Sequence, residues 1–83
     1  MEIDAIKKMI EIGIPDSIVI VDGDGAHFQA VVVSEKFLGK SMLQQHRMVY
    51  ESLGNKMGVD IHALSIQTYT PGKWDEQKGL RVI

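Results

Sequence analysis

The chain has 83 residues, with 9 Lys and Arg against 11 Asp and Glu, a net charge of −2 and 45% hydrophobic content. That is the make-up of one folded domain, 1–83, and the acidic balance argues against a protein that holds nucleic acid by bulk electrostatics. The absence of cysteine excludes a disulfide scaffold and a thiolate metal site built by this chain alone. The longest apolar runs, Ile18–Val21 and Ala30–Val33, are four residues each, far short of a membrane span. The start, Met1-Glu2-Ile3-Asp4, is acidic and carries no apolar leader, so a cytoplasmic protein without a membrane partner is expected.

Ile3, Ile6 and Ile10 recur at helical spacing, with Gly13 expected just past the helix end and Pro15 preventing its resumption. Ser17–Val21 is β-branched and bounded by turn residues, a strand. Asp22-Gly-Asp-Gly25 signals a tight turn, and Phe28–Val33 reads as the antiparallel partner strand. Glu35–Gly39 is a loop or short helical turn. A long helix starts near Ser41, where Ser41-x-x-Gln44 matches a capping box, and its apolar stripe is expected to be Met42, Leu43, Val49, Tyr50, Leu53 and Met57.

Ile61–Tyr69 is the third strand, with Leu64 and Ile66 on one face and Ser65 and Gln67 on the other. Thr70-Pro71 then opens a last short helix to about Lys78. The order α-β-β-α-β-α implies an α+β fold with a small mixed sheet of three strands, the second and third being parallel neighbours joined through the long helix.

The three histidines carry the clearest chemistry. His27 opens the second strand and His62 the third. Parallel neighbours begin at the same sheet edge, about 4.8 Å apart, so the two imidazoles can converge as metal ligands. By parity His62 shares a face with Leu64 and Ile66, and His27 with Gln29, so convergence requires the turn to bend His27 round. Two imidazoles do not complete a four-ligand site, and the remaining ligands would have to come from elsewhere. The alternative stays open: His27 capping a turn and His62 satisfying a local hydrogen bond. His46 falls on the expected buried stripe of the long helix and reads as a structural core residue hydrogen-bonded to backbone. Trp74 reads as a structural anchor laid against the sheet.

Other motifs fail on inspection. Asp22-Gly-Asp-Gly25 is not an EF-hand loop, because Ala26 and His27 stand where a ligand and a glycine belong. There is no P-loop, no full dinucleotide fingerprint and no nucleophile elbow, so nothing signals an enzyme. Lys40, Arg47 and Lys73, with Lys36, Lys78 and Arg81, are the candidates for a weak partner or nucleic-acid surface; as solvated helix faces they need no ligand at all.

Phe37-Leu-Gly-Lys40, Gln45-His-Arg-Met-Val-Tyr50, Ile61-His-Ala-Leu-Ser-Ile66, Thr68-Tyr-Thr-Pro71 and Trp74 together resemble the BolA family over about Gly25–Trp74. The compact turn before Phe28 is most similar to its bacterial branch typified by IbaG. The resemblance implies a class II KH-like α/β sandwich, although the Gly-x-x-Gly loop with which KH domains clamp a nucleic-acid backbone is absent. It further implies a non-enzymatic adaptor in iron–sulfur trafficking or iron regulation. Such an adaptor forms a heterodimer with a monothiol glutaredoxin, bridged by a 2Fe–2S cluster that glutathione helps to hold.

On this likeness the family's histidine before the last strand falls on His62, and its loop ligand falls on His27. Some relatives place a loop cysteine where this chain has Asp24. Histidine in place of cysteine should raise the cluster potential and make it more labile. The same likeness carries a second implication, a stress-linked transcriptional regulator that binds DNA or RNA. A weak homodimer of the free chain is also among the expected partners.

Overall fold

The computed structural model describes residues 2–24, 26–54 and 63–81. The order is α1 (Ile3–Gly13), β1 (Ile18–Gly23), β2 (His27–Val33), a 3-10 turn (Glu35–Phe37), α2 (Met42–Leu53), β3 (Ala63–Tyr69) and α3 (Pro71–Arg81). The expected α-β-β-α-β-α succession is the one observed. The last helix runs to Arg81 instead of about Lys78, and Ile61 lies outside the described residues, so β3 is seen from Ala63.

The sheet order is β1-β2-β3. β1 and β2 are antiparallel, with Val19 opposite Val32 and Gly23 opposite Phe28. β2 and β3 are parallel, with His27 opposite Ala63, Phe28 opposite Leu64 and Val33 opposite Tyr69. Alternation then decides the faces. Val19, Phe28, Ala30 and Val32 point inward, and Val21, Leu64 and Ile66 pack against them. Ile18, Ile20, Gln29, Ser65 and Gln67 are exposed on the opposite side.

α1 closes the core with Ile6, Ile10 and, just beyond its end, Ile14, all buried beside Phe37, Val49 and Leu53. Gly13 belongs to α1 itself and is not a left-handed cap: the described residues with positive φ are Asp16, Gly39 and Gly54. The reason for glycine at 13 is the crossing of two helices. A Cβ there would run into Ser52 Cβ and lie 2.9 Å from Ser52 Cα on α2.

α2 starts as its sequence indicates. Ser41 Oγ accepts from Gln44 N at 3.2 Å while Gln44 Oε1 accepts from Ser41 N at 2.9 Å, the reciprocal capping box. Its buried face differs from the expected stripe. Val49 and Leu53 are inside, but Met42, Leu43 and Tyr50 are 59%, 67% and 41% exposed; Met57 lies outside the described residues. The inward position near the start of the helix is taken by Gln45. Its Nε2 donates to Phe37 O at 3.3 Å and Lys40 O at 3.0 Å, and its Oε1 accepts from the buried Thr68 hydroxyl at 2.6 Å. A polar side chain with both ends satisfied can face the interior, and with this one turned inward Leu43 and Tyr50, on the far side of the helix, meet solvent.

Beyond β3, Trp74 is 8% exposed and its ring lies 5.4 Å from that of Tyr69, tilted by 47°. Trp74 thus packs on Tyr69 where α3 follows β3.

Candidate functional site

The turn between β1 and β2 is built by one side chain. Asp24 Oδ1 accepts from Ala26 N at 3.0 Å and from His27 N at 2.9 Å. Asp24 N donates to His27 O at 3.1 Å, which closes the hairpin. These bonds favour the ionised carboxylate. The His27 amide, then the Ala26 amide and the nearby imidazole, hold the Asp24 carboxyl below its ordinary value against a small opposing effect of desolvation. Gly23 is required by crowding, because a Cβ there would lie 2.6 Å from His27 O and 2.7 Å from Phe28 Cδ1.

His27 emerges from this turn at the first position of β2, exposed to solvent and on the face opposite the helices. Its ring makes no hydrogen bond among the described residues. The other candidate ligand, His62, lies outside the described residues. Its chain neighbour Ala63 is the residue that pairs with His27 in the parallel register. Among the described residues no three His, Asp or Glu side chains gather into a complete metal site.

His46 is half-buried on the shoulder of α2, and its ring has no hydrogen bond among the described residues. The sequence places it on the buried stripe, and it stands at the border of that stripe. The inward face passes through Gln45, Val49 and Leu53, and His46 lies beside it. With Leu43, Tyr50 and the exposed Arg47 it forms the outer surface of α2. Leu38, 65% exposed, and Met42 extend apolar surface toward the start of the helix. This apolar strip was hidden in the sequence because its residues are indistinguishable from core residues by type.

The basic candidates divide. Lys40 and Lys73 border the same cleft of about 630 Å3, whose walls include Phe37, Met42, Thr68 and Tyr69. Arg47 is not among its lining residues. Lys73 also approaches Glu76, at 4.0 Å with both side chains 74% exposed, a contact that contributes little. Lys78 pairs with Asp75 at 3.6 Å on the same exposed surface. No described helix is long and apolar enough to cross a membrane.

Comparison with known proteins agrees with this architecture. The family model "BolA-like protein" matches residues 11–73. The acid stress protein IbaG of Escherichia coli is 41% identical over 61 residues, covering 72% of this chain and 73% of its own. The DNA-binding transcriptional regulator BolA of the same organism is 40% identical over 53 residues, covering 64% of this chain and 50% of its own. The chain spans about half the length of the first curated relatives it matches. Among solved structures, a bolA protein homologue from Coxiella burnetii superposes with a TM-score of 0.82 at 47% identity, over 90% of this chain and 97% of that one. With its element order, its mixed sheet and a family match across most of its length, the chain belongs to the BolA-like protein family.

Proposed function

We propose that this chain is a non-enzymatic adaptor in iron–sulfur trafficking or iron regulation, forming a heterodimer with a monothiol glutaredoxin across a shared 2Fe–2S cluster. The observation that carries the reading is the register of the two parallel strands. His27 begins β2 and stands opposite Ala63, the residue that follows His62 in the chain, so the two candidate ligands belong to neighbouring positions of the sheet edge, with His27 on the solvent face. A ligand set split between two proteins suits what this chain holds: an exposed imidazole, no cysteine and no complete metal site among the described residues. When bound, a cluster with histidine ligands supplies one-electron chemistry at raised potential and readier release than one held by thiolates alone.

The exposed apolar strip of Leu38, Met42, Leu43 and Tyr50, with Lys40 and Arg47 beside it, offers the partner a surface of the usual anatomy, apolar at the centre and charged at the rim.

The test is to mix the chain with a monothiol glutaredoxin, iron, sulfide and glutathione and to record visible circular dichroism. A spectrum distinct from that of the glutaredoxin homodimer, altered in His27→Ala and stripped of its histidine character in His62→Ala, is the expected result. A wild-type spectrum identical to the homodimer's would overturn the reading.

A second reading, a nucleic-acid-binding regulator, draws on the name of the E. coli relative and on the placing of Lys40 and Lys73 at one cleft. With few cations in play, affinity for duplex DNA should be weak, and its logarithm should fall against log salt with a slope of about −2 to −3 if Lys40, Lys73 and Arg47 each neutralise one phosphate. Titration of a labelled duplex at several salt concentrations decides it: absent or salt-independent binding removes this reading.

A further inference from the structure

We infer that Asp24 is a positioning residue for His27: it fixes the backbone that carries the imidazole and so presets the hairpin's contribution to the shared centre. The inference rests on the reading of His27 as a ligand. It starts from an economy in the turn, where a single residue engages both backbone polar groups of His27. The Asp24 carboxylate accepts from the His27 N–H at 2.9 Å, and the Asp24 N–H donates to the His27 carbonyl at 3.1 Å. A further bond from Ala26 N to the same Oδ1 at 3.0 Å ties down the residue in front.

The other side of His27 is equally constrained. Phe28 is buried in the core, and Gly23 opposite it approaches so closely that any Cβ would strike His27 O or the Phe28 ring. With N–H, carbonyl and the following residue all held, the direction of the His27 Cα–Cβ bond is set, while the ring itself stays exposed and free of hydrogen bonds among the described residues. A ligand presented in this way carries its ordering cost in the fold, so less is lost when the centre assembles.

The chemistry also separates the two jobs an aspartate could do here. Oδ1 accepts from two N–H donors, so what the side chain supplies to the turn is an acceptor at a fixed distance from the backbone. Asparagine keeps that acceptor at the same distance from the backbone, alanine removes it, and glutamate displaces it by one methylene.

The experiment compares wild type with Asp24→Asn, Asp24→Ala and Asp24→Glu in two measurements. In the free chain, amide hydrogen exchange at His27 should stay within about twofold of wild type for asparagine and rise about tenfold for alanine, with glutamate between. With monothiol glutaredoxin, iron, sulfide and glutathione, the visible circular dichroism of the shared cluster and its rate of loss to a chelator should follow the same order, about tenfold faster loss for alanine and near-complete rescue by asparagine. Far-UV circular dichroism checks that each variant is folded; if alanine is not, Asp24→Glu takes its place in the comparison.

Alanine indistinguishable from wild type in either measurement overturns the inference, and so does asparagine as impaired as alanine, which would assign the effect to charge. If wild type itself gives no shared cluster, the functional reading has failed. Hydrogen exchange at His27 then decides alone whether Asp24 holds that residue in place.

Discussion

At the scale of single residues, the hairpin shows how a short polar side chain takes over work that a regular ladder would otherwise do. Asp24 receives two amide donors and stands next to an imidazole, so its ionised form is favoured in the fold and its carboxyl titrates below the ordinary range. The sign of the resulting pH dependence follows. A carboxylate whose folded value is depressed stabilises the turn fully above the unfolded value, and that stabilisation is lost as pH falls through the folded one. Protection of the Ala26 and His27 amides should therefore be constant from neutral pH down to the ordinary carboxylate range and collapse below it. Hydrogen exchange along an acid titration, with Asp24→Asn losing the pH dependence but retaining the protection, checks this.

Sequence composition marked the segment as a turn because glycine follows aspartate twice, and it placed His27 at the start of the second strand. Which Asp capped the turn was not legible: Asp22 and Asp24 are each followed by glycine, and hydrogen-bond geometry separates them. Asp22 Oδ1 accepts from the adjacent Gly23 N at 2.8 Å and Asp24 holds the turn.

At the scale of elements, local signals were the most reliable. Ser41 and Gln44 are three apart and satisfy each other's backbone groups, so the start of α2 is written within four residues of chain. Removing the hydroxyl in Ser41→Ala should cost about 1 kcal/mol of stability with no change in the cluster spectrum, measurable as a shift in the urea midpoint at unchanged slope. The buried face of α2 is a different matter. A stripe through Leu43 and Tyr50 satisfies helical periodicity as well as one through Met42, Val49 and Leu53. The choice between them is made by Gln45, whose partners lie at Phe37, Lys40 and Thr68. A glutamine is assigned to the surface by type, and nothing in its own neighbourhood of sequence shows that a carbonyl eight residues earlier and a hydroxyl 23 residues later will make it a half-buried strut.

At the scale of the whole molecule, one core joins the sheet to α1 and α2, and the two helices cross closely at Gly13 and Ser52. On helix propensity alone Gly13→Ala would stabilise by about 1 kcal/mol. Here the new methyl group meets Ser52, the helices must separate, and a net loss of about 1–3 kcal/mol is expected. Urea denaturation reads the sign. A double-mutant cycle with Ser52→Gly should show a favourable coupling, since that change removes the atom with which the methyl collides. The same packing leaves Leu43 and Tyr50 on the other face of α2 exposed to solvent.

By itself the sequence determined the family, the succession of elements, the capping box, the turn and the entry of His27 into the second strand. All of these depend on residues within a few positions of one another or on a motif read along the chain. The tertiary structure decided what depends on partners distant in sequence. It made Gly13 a helix contact and not a helix end, put Gln45 inside and Leu43 and Tyr50 outside, and brought Lys40 and Lys73 to one cleft while leaving Arg47 apart. It also set His27 against Ala63. The physical reason is that periodicity states how apolar residues are spaced on an element, whereas the face that is buried is chosen by whichever neighbour satisfies its polar groups and fills its volume.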